Sequence, residues 1–105
     1  VSDVSVIFVC MGNICRSPMA ASVLRSELDK VGLSHVEVSS AGTGGWHVGD
    51  PADRRAQAAL ARRGYLTEHE AQQFRSEWFD AYDTALWLVA FMTIEMNVLR
   101  AGAPA

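Results

Sequence analysis

Cys10 ends an apolar stretch, Arg16 follows six positions later, and the segment reads Cys10-Met11-Gly12-Asn13-Ile14-Cys15-Arg16-Ser17. A thiol, a guanidinium and a short glycine-bearing loop at this spacing suit the chemistry of an oxyanion. Loop N–H groups that run directly into a helix N-terminus make a cradle for a dianion, and Arg16 can clamp two of its oxygens in bidentate fashion. The same field favours the thiolate of Cys10. Ser17 is placed to donate a hydrogen bond to that thiolate. A thiolate facing a bound phosphate is a nucleophile for phosphoryl transfer to sulfur. The bland alternative, a buried strand-end cysteine with a surface arginine nearby, leaves Gly12, Asn13 and the Ser17-Pro18 helix start unexplained.

That chemistry needs a strand before the loop and a helix after it, and the sequence supplies both. Val4 to Val9 is β-branched, aromatic and nearly continuous in hydrophobicity, which predicts a strand buried on both faces of a parallel sheet. Ser17 is a favoured N-cap and Pro18 a favoured first helical residue. Ala20, Val23, Leu24, Leu28 and Val31 then recur at helical spacing up to Gly32. Val36 to Ser40 predicts a second strand, and a loop with Gly42, Gly44, Gly45 and Gly49 follows. Asp50-Pro51-Ala52-Asp53 repeats the start signal, with Asp50 as the expected cap, and Ala56, Ala59 and Leu60 carry that helix to Gly64. Thr84 to Phe91 predicts a third strand and Thr93 to Arg100 a third helix. Alternating strands and helices imply an α/β fold, a parallel sheet with flanking helices. Ligands of such sheets bind beyond the C-terminal ends of the strands, which is where Cys10 to Ser17 and the loop from Gly42 to Asp50 fall.

Composition bounds the rest. The chain has 105 residues, half of them hydrophobic and a fifth charged, so it reads as one domain over residues 1–105 with a modest core. A formal charge of −3 argues against a general binder of nucleic acid or anionic membrane. Two cysteines, Cys10 and Cys15, are too few for a disulfide framework and read as a reduced, cytoplasmic pair. No leader peptide is recognisable, and the longest apolar run, Ala85 to Met92, is eight residues, short of the ~20 that a membrane helix needs. Neither metal nor cofactor is expected.

The segment from Cys10 to Pro18 resembles the signature loop of the low-molecular-weight protein tyrosine phosphatases. The resemblance continues through Ser40-Ala41-Gly42-Thr43, Trp46-His47-Val48-Gly49, Pro51-x-Asp53-x-Arg55-Ala56, Gly64-Tyr65, His69-x-Ala71-x-Gln73, Phe79 and Tyr82-Asp83, and so spans about residues 4 to 83. It implies a flavodoxin-like fold that hydrolyses phosphotyrosine, on a protein or a small aryl phosphate, through a phosphocysteine. By that resemblance Cys10 is the nucleophile, Arg16 the phosphate clamp and Ser17 the stabiliser of the thiolate. Met11, Gly12, Asn13, Ile14 and Cys15 line the phosphate site. Asn13 holds the loop in a network with Ser40 and His69, and Trp46 forms a wall beside the phenyl ring. Cys15 resembles a second loop cysteine that forms a reversible disulfide with the nucleophile and shields it from irreversible oxidation. His35 and His47 have no evident partner and read as solvent-facing; Trp78 and Trp87 read as core.

The family pattern breaks after Tyr82-Asp83. The Asp-Pro-Tyr-Tyr loop that carries the family's general acid is absent, as are the strand and helix around it. Loss of a positioned general acid costs about 10²–10⁴-fold in rate. Asp50-Pro51 echoes the dipeptide but is accounted for as a helix cap, while Asp80 and Asp83 precede a strand and so belong to the opposite edge of the sheet. The exposed apolar run from Ala85 to Met92 leads to an expectation of self-association. Two further readings remain beside the phosphatase. One is a phosphotyrosine- or oxyanion-binding module with slow or no turnover. The other is an arsenate reductase, which expects redox cysteines downstream of Cys15, and none follows.

Overall fold

The computed structural model describes residues 4–87. Strand β1 (Val4–Cys10) lies at the centre of a three-stranded sheet between β2 (Val36–Gly42) and β3 (Thr84–Trp87), in the order β2-β1-β3, and both pairings are parallel. Helix α1 (Arg16–Lys30) connects β1 to β2, and helix α2 (Arg54–Arg62) lies between β2 and β3. The fold is therefore α/β with a parallel sheet.

Residues Ile7 to Cys10 are buried one after another, as a central strand covered on both faces requires. Alternation then sorts them. Phe8 joins Val38 and Ala21 of α1, with Val6, Leu24 and Leu28 packed around them. Ile7 and Val9 join Ala41 on the other face, beneath Phe74, Trp78, Tyr82 and Ala85. That second cover is not a long helix. It is an aromatic segment built around a short 3-10 turn, Ser76–Phe79, in which Trp78 meets Phe74 and Tyr82 edge-on at centroid distances of 5.7 and 6.3 Å. Trp78 is thus half-buried against the core cluster, whereas Trp87 is placed only as the β3 residue opposite Val9.

Two helix starts differ from expectation. Helix α1 begins at Arg16, two residues earlier than Ser17-Pro18 suggests, and Cys15 occupies the cap position with no side-chain cap. The Ser17 hydroxyl does not cap because it turns inward to Cys10. Pro18 falls third in the helix, where its missing N–H would have had no partner in any case. Helix α2 is capped by Asp53, whose carboxylate accepts from Arg55 N at 2.9 Å. Asp50 is not the cap; the backbone N–H of Asp53 is drawn to Ile14 O at 2.6 Å, and this sets the helix start.

Asp83 lies at the far edge of the sheet from Cys10, where its carboxylate accepts from Ser5 N at 2.8 Å and Ser5 Oγ at 3.2 Å. Its role is to close β3 onto the start of β1. The later part of the expected third strand, the expected helix Thr93 to Arg100, and most of the apolar run tied to self-association lie outside the described residues.

Ile7 is fully buried in the aromatic-covered cluster. Ile7→Ala is expected to lower unfolding stability by about 2–5 kcal/mol, read from urea denaturation midpoints at unchanged slope. A loss below about 0.5 kcal/mol would show that this face is loosely packed.

Candidate active site

The register pairs Cys10 with Gly42, so the C-terminal ends of β1 and β2 lie side by side. The chain leaves β1 at Cys10, winds through residues 11–15 and enters α1 at Arg16. Because α1 starts there, the backbone N–H groups of Cys15, Arg16 and Ser17 lie in the first turn of a helix, which carries a partial positive charge. Cys10, 2% exposed, places its Sγ at the base of this turn. It is 3.0 Å from Ser17 Oγ and accepts from Asn13 N at 3.3 Å.

The loop is held from within by Asn13, which is fully buried and has a φ of 59°. Asparagine tolerates this left-handed conformation better than most side chains. Its amide nitrogen donates to Ser17 Oγ at 2.7 Å and Ser40 Oγ at 3.0 Å, and its amide oxygen accepts from Gln72 N at 2.8 Å. The His69 ring donates from Nε2 to the Asn13 carbonyl, an acceptor that fixes the proton on that nitrogen. Asn13, Ser40 and His69, which the family resemblance grouped, are brought together here, and Ser17 joins them. Gln72 completes the set, its side chain also donating to Ser40 O at 2.9 Å. Nothing in the sequence marked it, since its main contribution is a backbone N–H.

Gly42 explains how the loop comes so close to β2. A Cβ at this position would lie 2.8 Å from Met11 O and 3.0 Å from Asn13 N, distances that backbone atoms cannot yield cheaply. Thr43 N and Gly44 N then donate to Cys10 O and Met11 O at 2.8 and 3.0 Å and bind the following loop to the first.

Above Cys10 opens a cleft of about 180 Å³ lined by Cys10, Met11, Gly12, Ile14, Cys15, Arg16, Trp46 and His47. This volume is below the range of whole drug-sized ligands. Trp46, 71% exposed, lies over Gly44, where a Cβ would overlap the indole. Cys15 and Cys10 are not joined in a disulfide. His47 corrects the sequence reading. Its side chain is 41% exposed, as expected, but it has a partner: its Nδ1 lies 3.2 Å from Asp50 Oδ2, and a Cβ on Gly12 would stand 3.0 Å from its ring. His35 takes no part in the cleft. Asp50, freed from helix capping, is committed to His47 instead.

The family pattern described as low molecular weight phosphotyrosine protein phosphatase matches residues 5–100. The chain belongs to this family. It is 50% identical to a low molecular weight protein-tyrosine-phosphatase of Streptomyces coelicolor over 94% of its own length and 59% of the relative's. It is 40% identical to low molecular weight phosphotyrosine protein phosphatase 1 of Drosophila melanogaster, covering 94% of this chain and 62% of that one. Among solved structures, YfkJ from Bacillus subtilis superposes with a TM-score of 0.82 at 37% identity, over 99% of this chain and 65% of that one. The chain thus spans about three-fifths of the length of the curated phosphatases it matches.

Burial pushes the His69 imidazole below the ordinary histidine value of 6.5, with the Asn13 carbonyl opposing, Arg25 adding to the fall and Glu70 opposing it weakly. The folded ring therefore resists a proton that the unfolded chain accepts. The stability it contributes is complete above about pH 6.5 and is lost as pH falls through the lowered folded value. Between pH 7.5 and 5.5 the urea midpoint should fall more for the native chain than for His69→Gln, which keeps a donor without titrating. Equal falls would show that His69 titrates as an ordinary surface histidine.

Proposed function

We propose that the chain hydrolyses phosphotyrosine monoesters, on a protein or as a small aryl phosphate, through a phosphocysteine on Cys10. The observation that carries this reading is the position of Cys10 Sγ, buried at the base of the cleft between Ser17 Oγ and Asn13 N. A thiolate there faces any oxyanion seated in the loop. Arg16 at the start of α1 supplies the planar fork that suits two phosphoryl oxygens, and the N–H groups of the first turn supply the rest of the cradle. Such preorganised donors stabilise the charge on the transferring group without reorganising during the reaction. The Ser17 hydroxyl has one proton to share between Cys10 Sγ at 3.0 Å and Ala41 O at 3.4 Å. Directed at sulfur, it stabilises the thiolate as nucleophile and again as the group that departs when water attacks the phosphocysteine.

Trp46 at the mouth offers an aromatic face to the ring of a phosphotyrosine, which supports an aryl phosphate over a smaller alkyl one. A sulfur nucleophile that works as a free thiol fits a reducing compartment such as the cytoplasm. Nucleic acid is not a partner in this reading. Among the described residues no helix is long and apolar enough to cross a membrane.

Steady-state turnover of phosphotyrosine and of p-nitrophenyl phosphate, with Cys10→Ser alongside, tests the reading. The native chain is expected to turn over both, Cys10→Ser to turn over neither while still binding inorganic phosphate, and acid quenching to trap one phosphoryl group on Cys10. A phosphoenzyme that forms and persists without turnover would favour the binding-module reading. Equal rates for the native chain and Cys10→Ser would overturn the nucleophile assignment.

A further inference from the structure

The basic residues of the chain are unevenly placed. Nine basic and twelve acidic residues make its formal charge of −3, and four of the nine, Arg54, Arg55, Arg62 and Arg63, fall within ten consecutive residues that hold no acid. The rest of the chain, with five basic and twelve acidic residues, carries −7. Cations elsewhere among the described residues are engaged. Arg16 lines the cleft. Arg25 donates to Val38 O from Nε at 3.2 Å and from Nη2 at 2.8 Å. Lys30 pairs with Glu27 at 2.8 Å and Arg75 with Glu77 at 3.6 Å. On α2, Arg55 pairs with Asp53 at 3.4 Å. The side chains of Arg54, Arg62 and Arg63 make no ion pair or hydrogen bond among the described residues.

Helix α2 buries Ala56, Ala59 and Leu60. Arg54, Arg55 and Arg62 lie on its exposed side, and share one face because positions seven and eight apart recur after two turns. The usual solvated face of a helix mixes both signs. A face of one sign, on a chain that is otherwise strongly negative, creates a local field for an anion. This face also begins beside the candidate active site. Asp53 N, just before Arg54, donates to Ile14 O at 2.6 Å, and Ile14 lines the cleft. From there the helix runs for nine residues, about 13 Å, a length that an extended polypeptide covers in about four residues.

We propose that the arginine face of α2 binds an acidic segment of the same phosphoprotein whose phosphotyrosine occupies the cleft. This rests on the phosphatase reading above and adds to it the sequence context of the substrate: aspartates and glutamates within a few residues of the phosphotyrosine. Guanidinium groups bind carboxylates as planar, bidentate pairs. A short acidic segment meets the arginine face alone, whereas a long polyanion such as nucleic acid also meets the −7 of the remaining chain. Exposed charge pairs of this kind chiefly speed association and are screened by salt.

The test compares kcat/KM of the native chain and of the double variant Arg54→Gln, Arg62→Gln on free phosphotyrosine and on two phosphotyrosine peptides of equal length. One peptide carries Asp and Glu on both sides of the phosphotyrosine, and the other carries Asn and Gln in their places. Arg55 is left unchanged because it pairs with the residue that caps α2. The native chain should prefer the acidic peptide about tenfold at low salt and less than about threefold at high salt. The double variant should prefer it less than about threefold at low salt. Both proteins should turn over free phosphotyrosine equally, which also reports that the variant is folded. Equal rates of the native chain on the two peptides overturn the proposal. A preference that survives in the double variant also overturns it, and places the acidic segment elsewhere. Stronger inhibition by oligothymidylate than by the unphosphorylated acidic peptide, lost in the double variant, assigns the face to nucleic acid and overturns it too. If free phosphotyrosine shows no Cys10-dependent turnover, the phosphatase reading fails and this proposal fails with it.

Discussion

The side chain and backbone of Asn13 hold together the parts of the chain that the chemistry needs. One residue, fully buried and in a left-handed conformation, reaches α1 through Ser17, β2 through Ser40, and the segment leading to β3 through His69 and Gln72. Its own N–H points at the sulfur of Cys10. An orphaned buried amide costs about 1–3 kcal/mol for each unmet group, so this network is stabilising only when every partner is in place. That requirement is what makes the loop rigid. A phosphate cradle must exist before the phosphate arrives, because donors that have to be gathered on binding lose much of their electrostatic advantage. Asn13 therefore converts packing among three segments into the preorganisation of one site.

The same constraint accounts for features that look incidental in isolation. Gly42 lacks a side chain because the end of β2 and the phosphate loop share a space that a methyl group would fill. His69 stays neutral because burial disfavours its charge, and a neutral ring with its proton on Nε2 is the form that serves the Asn13 carbonyl. Ser17 gives up the helix-capping role of its residue type, and its hydroxyl goes to the sulfur. Around this fixed centre the rim is built differently. Trp46 and His47 come from the turn after β2 and are held by short local contacts to Gly44, Gly12 and Asp50.

Much of this was legible in the sequence where one strong local rule acts. The continuous apolar run of β1 dictated a central parallel strand, the periodicity of α1 its helix, and the residues between them the loop on which the proposed chemistry rests. Residues whose roles depend on tertiary approach were harder to read. Ser17-Pro18 and Asp50-Pro51 both carry good start signals, yet neither starts its helix, because Ser17 is drawn to Cys10 and Asp53 to Ile14. Gln72 contributes a backbone N–H, which no residue type advertises. His47 looked partnerless because its partner, Asp50, had been assigned to a cap. The aromatic cover of the second face lacks the period of either helix or strand, so Trp78 was legible as core only through its size.

Orthovanadate affinity of Asn13→Gly tests the central claim most directly. Glycine accepts the left-handed backbone without strain, so the substitution removes the amide network and leaves the loop's conformation accessible. The account predicts a folded protein whose dissociation constant for orthovanadate rises at least about tenfold, since several buried hydrogen bonds that order the cradle are lost. An affinity equal to that of the native chain would contradict it, and would mean that the loop holds its shape without Asn13.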